Sequence, residues 1–346
     1  MMTSIFEYPK QELQLDLVAH GFKKYLAEQI FDWIYVKNIY SFDEMTNISK
    51  PDRIKLQEHY TIEPLKIAVQ QQSKDGTVKF LFELADGYKI ETVLMPQNYG
   101  NSVCVTTQVG CNMACTFCAS GLLKKTRNLS TAEITQQVMM VNRYLATVGE
   151  RVSHIVVMGI GEPLDNFENV INFVNIINDP KGYQIGARHI TISTCGLIPK
   201  IKQFADLKIQ VNLAISLHAP NNSIRNQLMP INKAYPVEKL IDAVRYYIEQ
   251  TNRRVTFEYI LIDDVNDSRE TALELAKLIR GINAYVNLIP YNTVAENSYC
   301  RSTKINQFFE TLQQQKINCI VRREFGHDID AACGQLRAKN EGIIRK

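Results

Sequence analysis

From residue 102 onward, short β-branched apolar runs alternate with amphipathic stretches of helical length, six times over. The strand-like runs begin near Val103, Ile155, Ile190, Val211, Val255 and Val286. The helix-like stretches cover 131–147, 166–178, 197–206, 236–250, 268–280 and 303–316. Parallel strands need long crossovers, and a helix usually supplies one, so this order predicts a parallel sheet covered by helices. Ser130 followed by Thr131-Ala-Glu133 reads as the capped, acidic start of the first helix. Six right-handed units point to a partial (β/α)6 barrel over a doubly wound sheet, although spacing alone does not separate the two. Ligand loops are expected at the strand C-termini.

The first part of the chain has a different period. Residues 9–58 repeat apolar positions at helical spacing, with Leu26, Ile30, Phe31, Ile34 and Tyr35 around Trp33. Over residues 61–95 the pattern changes to three strand-like runs, separated by Asp75-Gly76 and Asp86-Gly87, which is hairpin chemistry. The α/β class therefore carries a small helical and antiparallel-strand accessory module, expected over 1–96. A core over 97–300 and a C-terminal segment over 301–346 follow. No apolar run reaches the length of a membrane span, and the first ten residues lack the basic-then-apolar order of a signal peptide. A cytoplasmic protein is expected, and its eight cysteines then point to catalytic or metal-binding roles ahead of disulfides. Net charge of +3 is too mild to argue for nucleic acid. Four basic clusters are more suggestive: Lys124-Lys125-Thr-Arg127, Arg253-Arg254, Arg322-Arg323, and the tail with Arg337, Lys339, Arg345 and Lys346.

The first strand leads into Cys111-Asn-Met-Ala-Cys115-Thr-Phe-Cys118. Three thiolates this close can hold three irons of a 4Fe-4S cubane and leave the fourth iron open to a ligand. A zinc knuckle or a structural cluster normally recruits a fourth Cys or His nearby. Only His154 lies within the next seventy residues or so, and it reads as the start of a strand. The C-x3-C-x2-C spacing, with an aromatic residue before the last cysteine, resembles the signature of radical S-adenosylmethionine (SAM) enzymes.

Further blocks make the resemblance more specific. They are Ser102-Val-Cys104-Val-Thr-Thr-Gln-Val-Gly-Cys111, Met158-Gly-Ile-Gly161-Glu162-Pro163, Arg188-His-Ile-Thr-Ile-Ser193-Thr, Ser216-Leu217-His218, Met229-Pro-Ile-Asn232, Asn287-Leu-Ile-Pro-Tyr-Asn292 and Ala331-Ala-Cys333-Gly-Gln-Leu. Together they resemble, along nearly the whole chain, the radical-SAM methyltransferases that modify an adenine of 23S ribosomal RNA. Gly161-Glu162-Pro163 and Val109 match the branch that methylates adenine C2, where C8 enzymes tend to have Gly-Glu-Ala and a cysteine. Three departures stand out: Tyr25-Leu26-Ala27 where Phe-Arg-Ala is common, Cys195 where Ser is usual, and Pro96 where Arg is frequent.

The resemblance implies a reaction that uses two SAM molecules per turnover. Carbons 2 and 8 of adenine are electrophilic, so direct attack on a sulfonium methyl is not open to them. In the family, a thiolate first takes a methyl by polar displacement, here Cys333. A 5′-deoxyadenosyl radical from a second SAM then activates the S-methyl group, which adds to the ring. A carboxylate, here Glu91, accepts the ring proton. A resolving thiol, here Cys104, frees the base by forming a transient disulfide. Cys111, Cys115 and Cys118 would ligate the cluster. Gly161, Glu162, Ser193, Ser216, Leu217, His218 and Asn292 match the SAM contacts. His218 also reads as a satisfied core histidine, Glu91 as a solvated strand residue, and Cys195, Cys300 and Cys319 as small buried hydrophobes. The implied partners are 23S rRNA, some tRNAs as second substrates and a reductant such as flavodoxin; no membrane is involved and the chain is expected to be a monomer. The N-terminal helices, with Lys23, Lys24 and Lys37, are the candidate RNA grip, and Trp33 reads as their core anchor. The rival readings are a C8 methyltransferase and a non-catalytic iron–sulfur RNA-binding protein.

Overall fold

The computed structural model describes residues 2–294, 296–331 and 335; Cys333 and the basic tail lie outside them. One ten-stranded sheet organises the chain. Its strands are β1 (Lys66–Gln72), β2 (Val78–Glu83), β3 (Lys89–Gln97), β4 (Gly100–Cys104), β5 (Val152–Val157), β6 (Ile190–Thr194), β7 (Asn212–Ser216), β8 (Val255–Leu261), β9 (Ala284–Pro290) and β10 (Cys319–Val321). From β4 to β10 every neighbouring pair is parallel, and spatial order equals chain order. A doubly wound sheet reverses direction partway along, whereas a sheet whose crossovers all step the same way curls into an open barrel. That ordering separates the two architectures that spacing could not. The three-residue β10 adds a seventh parallel strand to the six expected; its brief, largely exposed run carried too little pattern to be read.

The antiparallel strands β1 to β3 extend this same sheet. Residue 96 falls inside the β3–β4 ladder, where Pro96 pairs with Asn101 and Gln97 with Gly100. The sharp turns at Asp75-Gly76 and Asp86-Gly87 are glycine-dependent, with Gly76 at φ +89° and Gly87 at φ +84°.

Two faces with period-two alternation explain where the cavities lie. Ile155, Val157, Ile192, Leu213, Phe257 and Leu288 point outward, fully buried beneath the helices. Burial of such side chains contributes about 1.5–3 kcal/mol each. Their neighbours Val156, Thr191, Ser193, Ser216, Glu258 and Asn287 face the barrel interior and line its cavities. The covering helices are α4 (Thr131–Ala146), α5 (Phe167–Asn178), α6 (Ile198–Asp206), α8 (Val237–Thr251), α9 (Arg269–Ile279) and α10 (Ile305–Gln314). Ser130 caps α4 in a reciprocal capping box with Glu133. The additional short helix α7 (Asn222–Leu228) follows β7.

Upstream stand α1 (Lys10–Ala19), α2 (Leu26–Phe31) and α3 (Lys50–His59). Leu26, Ile30, Phe31, Ile34 and Tyr35 are all buried, as their spacing required. The last turn after α2 widens to π geometry, with Lys37 N–H donating to Asp32 O at 3.0 Å. Trp33 is half-buried against the core, and Lys37 Nζ covers its ring 3.9 Å from the centroid. Its face is therefore capped by a lysine. Among the described residues, no helix is long and apolar enough to cross a membrane.

Candidate active site

The cysteine loop follows β4 and is folded back on itself. Cys111 N–H donates to Leu123 O at 2.9 Å, and Gly121 N–H to Cys118 O at 3.0 Å. Thr116 N–H reaches across to Leu228 O at 3.0 Å, tying the loop to α7. Glycine is required at both ends of the loop. A Cβ on Gly110 would stand 2.2 Å from Lys124 O, and one on Gly121 would stand 2.5 Å from Cys115 O. Cys111, Cys115 and Cys118 line one cavity together with Gly161, Glu162, Ser193, Ser216 and His218. Five of the seven SAM positions read from the sequence thus converge on the three thiols. Leu217 and Asn292 are buried but do not line this cavity.

Burial pushes the Cys111 thiol up to about 11 and raises the Cys115 thiol as well. Buried thiols of this kind stay protonated until a cation compensates the thiolate, so cluster binding and proton release are coupled. Cys195 also lines the cavity, but its side chain is engaged with Glu162. Three loop thiols on one cavity wall fit a 4Fe-4S cubane with one iron open.

The glycine pair after β5 is dictated by packing as much as by any ligand. Gly159 N–H donates to Val105 O at 3.0 Å, and Thr107 N–H donates to Ile160 O at 2.9 Å. A Cβ on Gly159 would lie 2.7 Å from Val105 O, and one on Gly161 (φ +108°) 2.7 Å from Gln108 Cβ. At Gly159 backbone lies directly on backbone. Glu162 follows, nearly inaccessible, its carboxylate accepting from Leu164 N–H at 3.0 Å and Cys195 N–H at 2.8 Å. These donors favour the charged form, but burial outweighs them and raises its pKa.

His218 sits at φ +56°, just beyond β7. Its Nδ1 accepts from Ile260 N–H at 3.0 Å, which puts the ring proton on Nε2. Burial lowers its pKa to about 3, so the ring is neutral. It is both a satisfied buried histidine and a cavity-lining one. Arg225 on α7 is the group that sequence reasoning missed. Fully buried, it donates through Nη2 to Cys195 O (2.6 Å) and Ser216 O (3.3 Å), through Nε to Leu217 O (3.1 Å), and through Nη1 to Asn232 Oδ1 (3.1 Å). One guanidinium thereby braces the ends of β6 and β7. Its signal was faint: a cation three residues before Leu228, on the buried side of a short helix.

The remaining positions gather on the β3–β4 side of the barrel. Cys104 closes β4, buried in an apolar cluster with Val93, Met95, Ile160, Phe325 and Ala331, against which Ile329 packs. The segment approaching Cys333 is pinned to the β1–β2 hairpin. Gly326 N–H donates to Asp75 Oδ2 at 3.0 Å, and Asp328 accepts from Ser73 Oγ and from Lys74 N–H. On the other side, Gln335 Nε2 donates to Thr293 O at 3.2 Å, next to Asn292. Glu91 on β3 is buried rather than solvated. Lys79 Nζ stands 3.4 Å from its Oε1 and also donates to Asp330 O at 3.4 Å. Glu91 shares a strand face with Val93 and Met95, because every second residue points the same way. Cys300, expected to be buried, is exposed in the loop after β9, and Cys319 is half-buried at the start of β10.

The description "Radical SAM superfamily" matches residues 105–276, and "Ribosomal RNA large subunit methyltransferase N-terminal domain" matches residues 3–62. A Spiroplasma citri protein named "Probable dual-specificity RNA methyltransferase RlmN" is 91% identical over 345 residues, covering 100% of both chains. Its namesake from Shouchella clausii is 59% identical, covering 98% of this chain and 97% of its own. Among solved structures, a radical SAM methyltransferase from Sphaerobacter thermophilus superposes with a TM-score of 0.93 at 44% identity, over 97% of this chain and 100% of that one.

Proposed function

This chain belongs to the RlmN family of radical-SAM RNA methyltransferases, and from that premise we propose that it methylates C2 of adenine in 23S rRNA, at A2503, and in tRNA, at A37. The observation that carries the reading is the cluster uniting Cys104 with Ile329 and Ala331, the residues leading to Cys333. When bound, a 4Fe-4S cluster on Cys111, Cys115 and Cys118 supplies the electron that cleaves SAM reductively. Gly161, Glu162, Ser193, Ser216 and His218 would hold SAM against that loop, with Leu217 and Asn292 shaping the cradle from behind. Glu162 offers a carboxylate to the ammonium of SAM, and the neutral His218 offers an Nε2 donor.

Cys333 accepts a methyl from one SAM and holds it as a thioether, so two SAM molecules are consumed per cycle. Glu91, whose Oε1 stands 3.4 Å from Lys79 Nζ, takes the C2 proton once the base is tethered. Cys104, as its thiolate, then attacks the Cys333 sulfur, and the sulfur–carbon bond breaks. The methylene carbon keeps its electron pair and takes up a proton to become the methyl group of a 2-methyladenosine residue in the RNA, and the two cysteines are left as a disulfide. Cys104, Ile329 and Ala331 share an apolar cluster, where water has poor access. The same reading carries a cytoplasmic, monomeric enzyme served by a flavodoxin-class one-electron donor, with the helices over residues 3–62 gripping the folded RNA.

Mass spectrometry of the purified, SAM-supplied protein tests the first step: a methyl group is expected on the peptide containing Cys333. Chromatography of digested RNA then tests the regiochemistry against authentic 2-methyl- and 8-methyladenosine. An unmodified Cys333 in cluster-replete protein rejects the mechanism, and 8-methyladenosine rejects the C2 assignment.

A further inference from the structure

Two of the basic pairs in the sequence, Arg253-Arg254 and Arg322-Arg323, meet in space. They line a cavity of about 800 Å³ at the N-terminal ends of the strands, opposite the cysteine loop. Its walls also carry Tyr99 and Tyr285, and its size suits one nucleotide. Three of these four cations, Arg253, Arg254 and Arg323, are not consumed by carboxylates of the described residues. Arg253 bonds the amides of Gln210 and Asn212 and the Tyr247 hydroxyl, none of them a carboxylate. Arg254 lies over the Tyr285 ring at 4.5 Å, and Arg323 over Phe325 at 5.1 Å. Among the described residues, none of these three forms an ion pair. Arg322 differs, standing 3.7 Å from Glu258 Oε2. The cluster at residues 124–127 makes the contrast: Lys125 is paired with Asp165, and Arg127 with Asp86 and Glu133.

Beside the cavity stands a column of three rings. Tyr99, 64% exposed, meets His154 edge-on at 4.8 Å, and His154 stacks flat on His189 at 4.3 Å with an interplanar angle of 15°. Burial and the neighbouring His189 depress the pKa of His154, which favours the neutral ring. Arginines without a carboxylate partner, here Arg253, Arg254 and Arg323, next to a stepped aromatic surface are what single-stranded nucleic acid requires, phosphate on the cations and base on the rings. Met158, Glu258 and Arg322 line both this cavity and the one holding the three cysteines, so a thin side-chain partition is all that separates them.

We propose that this lower cavity binds the nucleotide flanking the target adenine, its phosphate on Arg253, Arg254 and Arg323 and its base on the Tyr99–His154–His189 column. The target base then enters the barrel from this side and passes the Met158–Glu258–Arg322 partition to reach the cysteine loop. This inference rests on the reading of the chain as an RNA methyltransferase.

The test uses the full-length, cluster-loaded chain and a fluorescein-labelled RNA stem-loop with an unpaired adenine, titrated by anisotropy over a range of salt. R254Q/R323Q should flatten the log–log salt dependence by about 1.4, at about 0.7 per lost single-strand phosphate contact. Tyr99→Ala should weaken binding about tenfold. Tyr99 is exposed enough that its removal leaves the core intact. A K239Q/R245Q control on the outer face of α8 should bind like wild type. If both cavity variants bind with wild-type affinity and salt slope while the wild type methylates RNA, the lower-cavity assignment is overturned and the enzymatic reading stands. If the wild type neither binds nor methylates RNA, both fall together.

Discussion

Replacing Arg225 with methionine tests how the ligand end of the barrel is held together. Methionine retains length and apolar bulk but removes every donor, so Cys195 O, Ser216 O, Leu217 O and Asn232 Oδ1 lose their guanidinium partner. An orphaned buried acceptor costs about 1–3 kcal/mol. Counting only the carbonyls of Cys195 and Leu217 gives a loss of about 2–6 kcal/mol. Relief of the guanidinium's own desolvation, visible in its lowered pKa, trims the upper end to about 3–4 kcal/mol. For a chain of this length a loss of about 2–4 kcal/mol corresponds to a fall in melting temperature of about 3–5 °C, measured by circular dichroism on cluster-free protein. Cys195 also donates to Glu162, so SAM affinity measured by equilibrium dialysis should fall as well. Arg225→Lys should recover only part of either loss, since one ammonium cannot reach carbonyls lying in three directions. A melting temperature within about 1 °C of wild type would show that the carbonyls find other partners, and the bracing argument would fail.

Three further outcomes follow from the same geometry. Gly161→Ala places a Cβ 2.7 Å from Gln108 Cβ at φ +108°, and should cost at least about 2 kcal/mol in urea unfolding; an unchanged midpoint would contradict the close packing. His218 is held near 3 while an unfolded-chain histidine titrates near 6.5, so the unfolded state binds the extra proton. Stability should therefore decline as pH drops from 6.5 towards 3, by up to about 1.4 kcal/mol per unit, and His218→Asn should flatten the slope relative to wild type. On the proposed mechanism, Cys104→Ala should leave RNA covalently attached, visible as a slow band on a denaturing gel that ribonuclease collapses; turnover at wild-type rate would remove Cys104 from the mechanism.

Much of the site was legible because its chemistry is concentrated in contiguous motifs. The cysteine loop carries its own turn-formers, with close local contacts at Gly110 and Gly121, and only its outer turn at Thr116 leans on the distant α7. The strand-end positions were legible too, since in a parallel barrel the strand C-termini converge whatever their spacing in the chain. What could not be read were contacts between segments remote in sequence. Arg225 looked like an ordinary helix cation until the ends of β6 and β7 closed around it. Glu91 looked like a solvated strand residue until Lys79 and the turn at Gly326–Ala331 covered it. Lys125 and Arg127 looked like an RNA patch, and their carboxylate partners come from as far away as Asp86 and Asp165.

The sequence by itself determined the parallel β/α core, the helical N-terminal module, the three-thiol loop and the set of strand ends that surround it. These follow from periodicity, turn chemistry and ligand spacing, all of which act over a few residues. Only the tertiary structure decided that the antiparallel strands join the barrel's own sheet, that strand order is sequential, and that Cys104 shares a cluster with the residues leading to Cys333. The convergence of Arg253-Arg254 with Arg322-Arg323 on one cavity belongs to the same class. Each depends on which strands become neighbours, and that choice is made by packing over the whole core, where a local pattern carries no address.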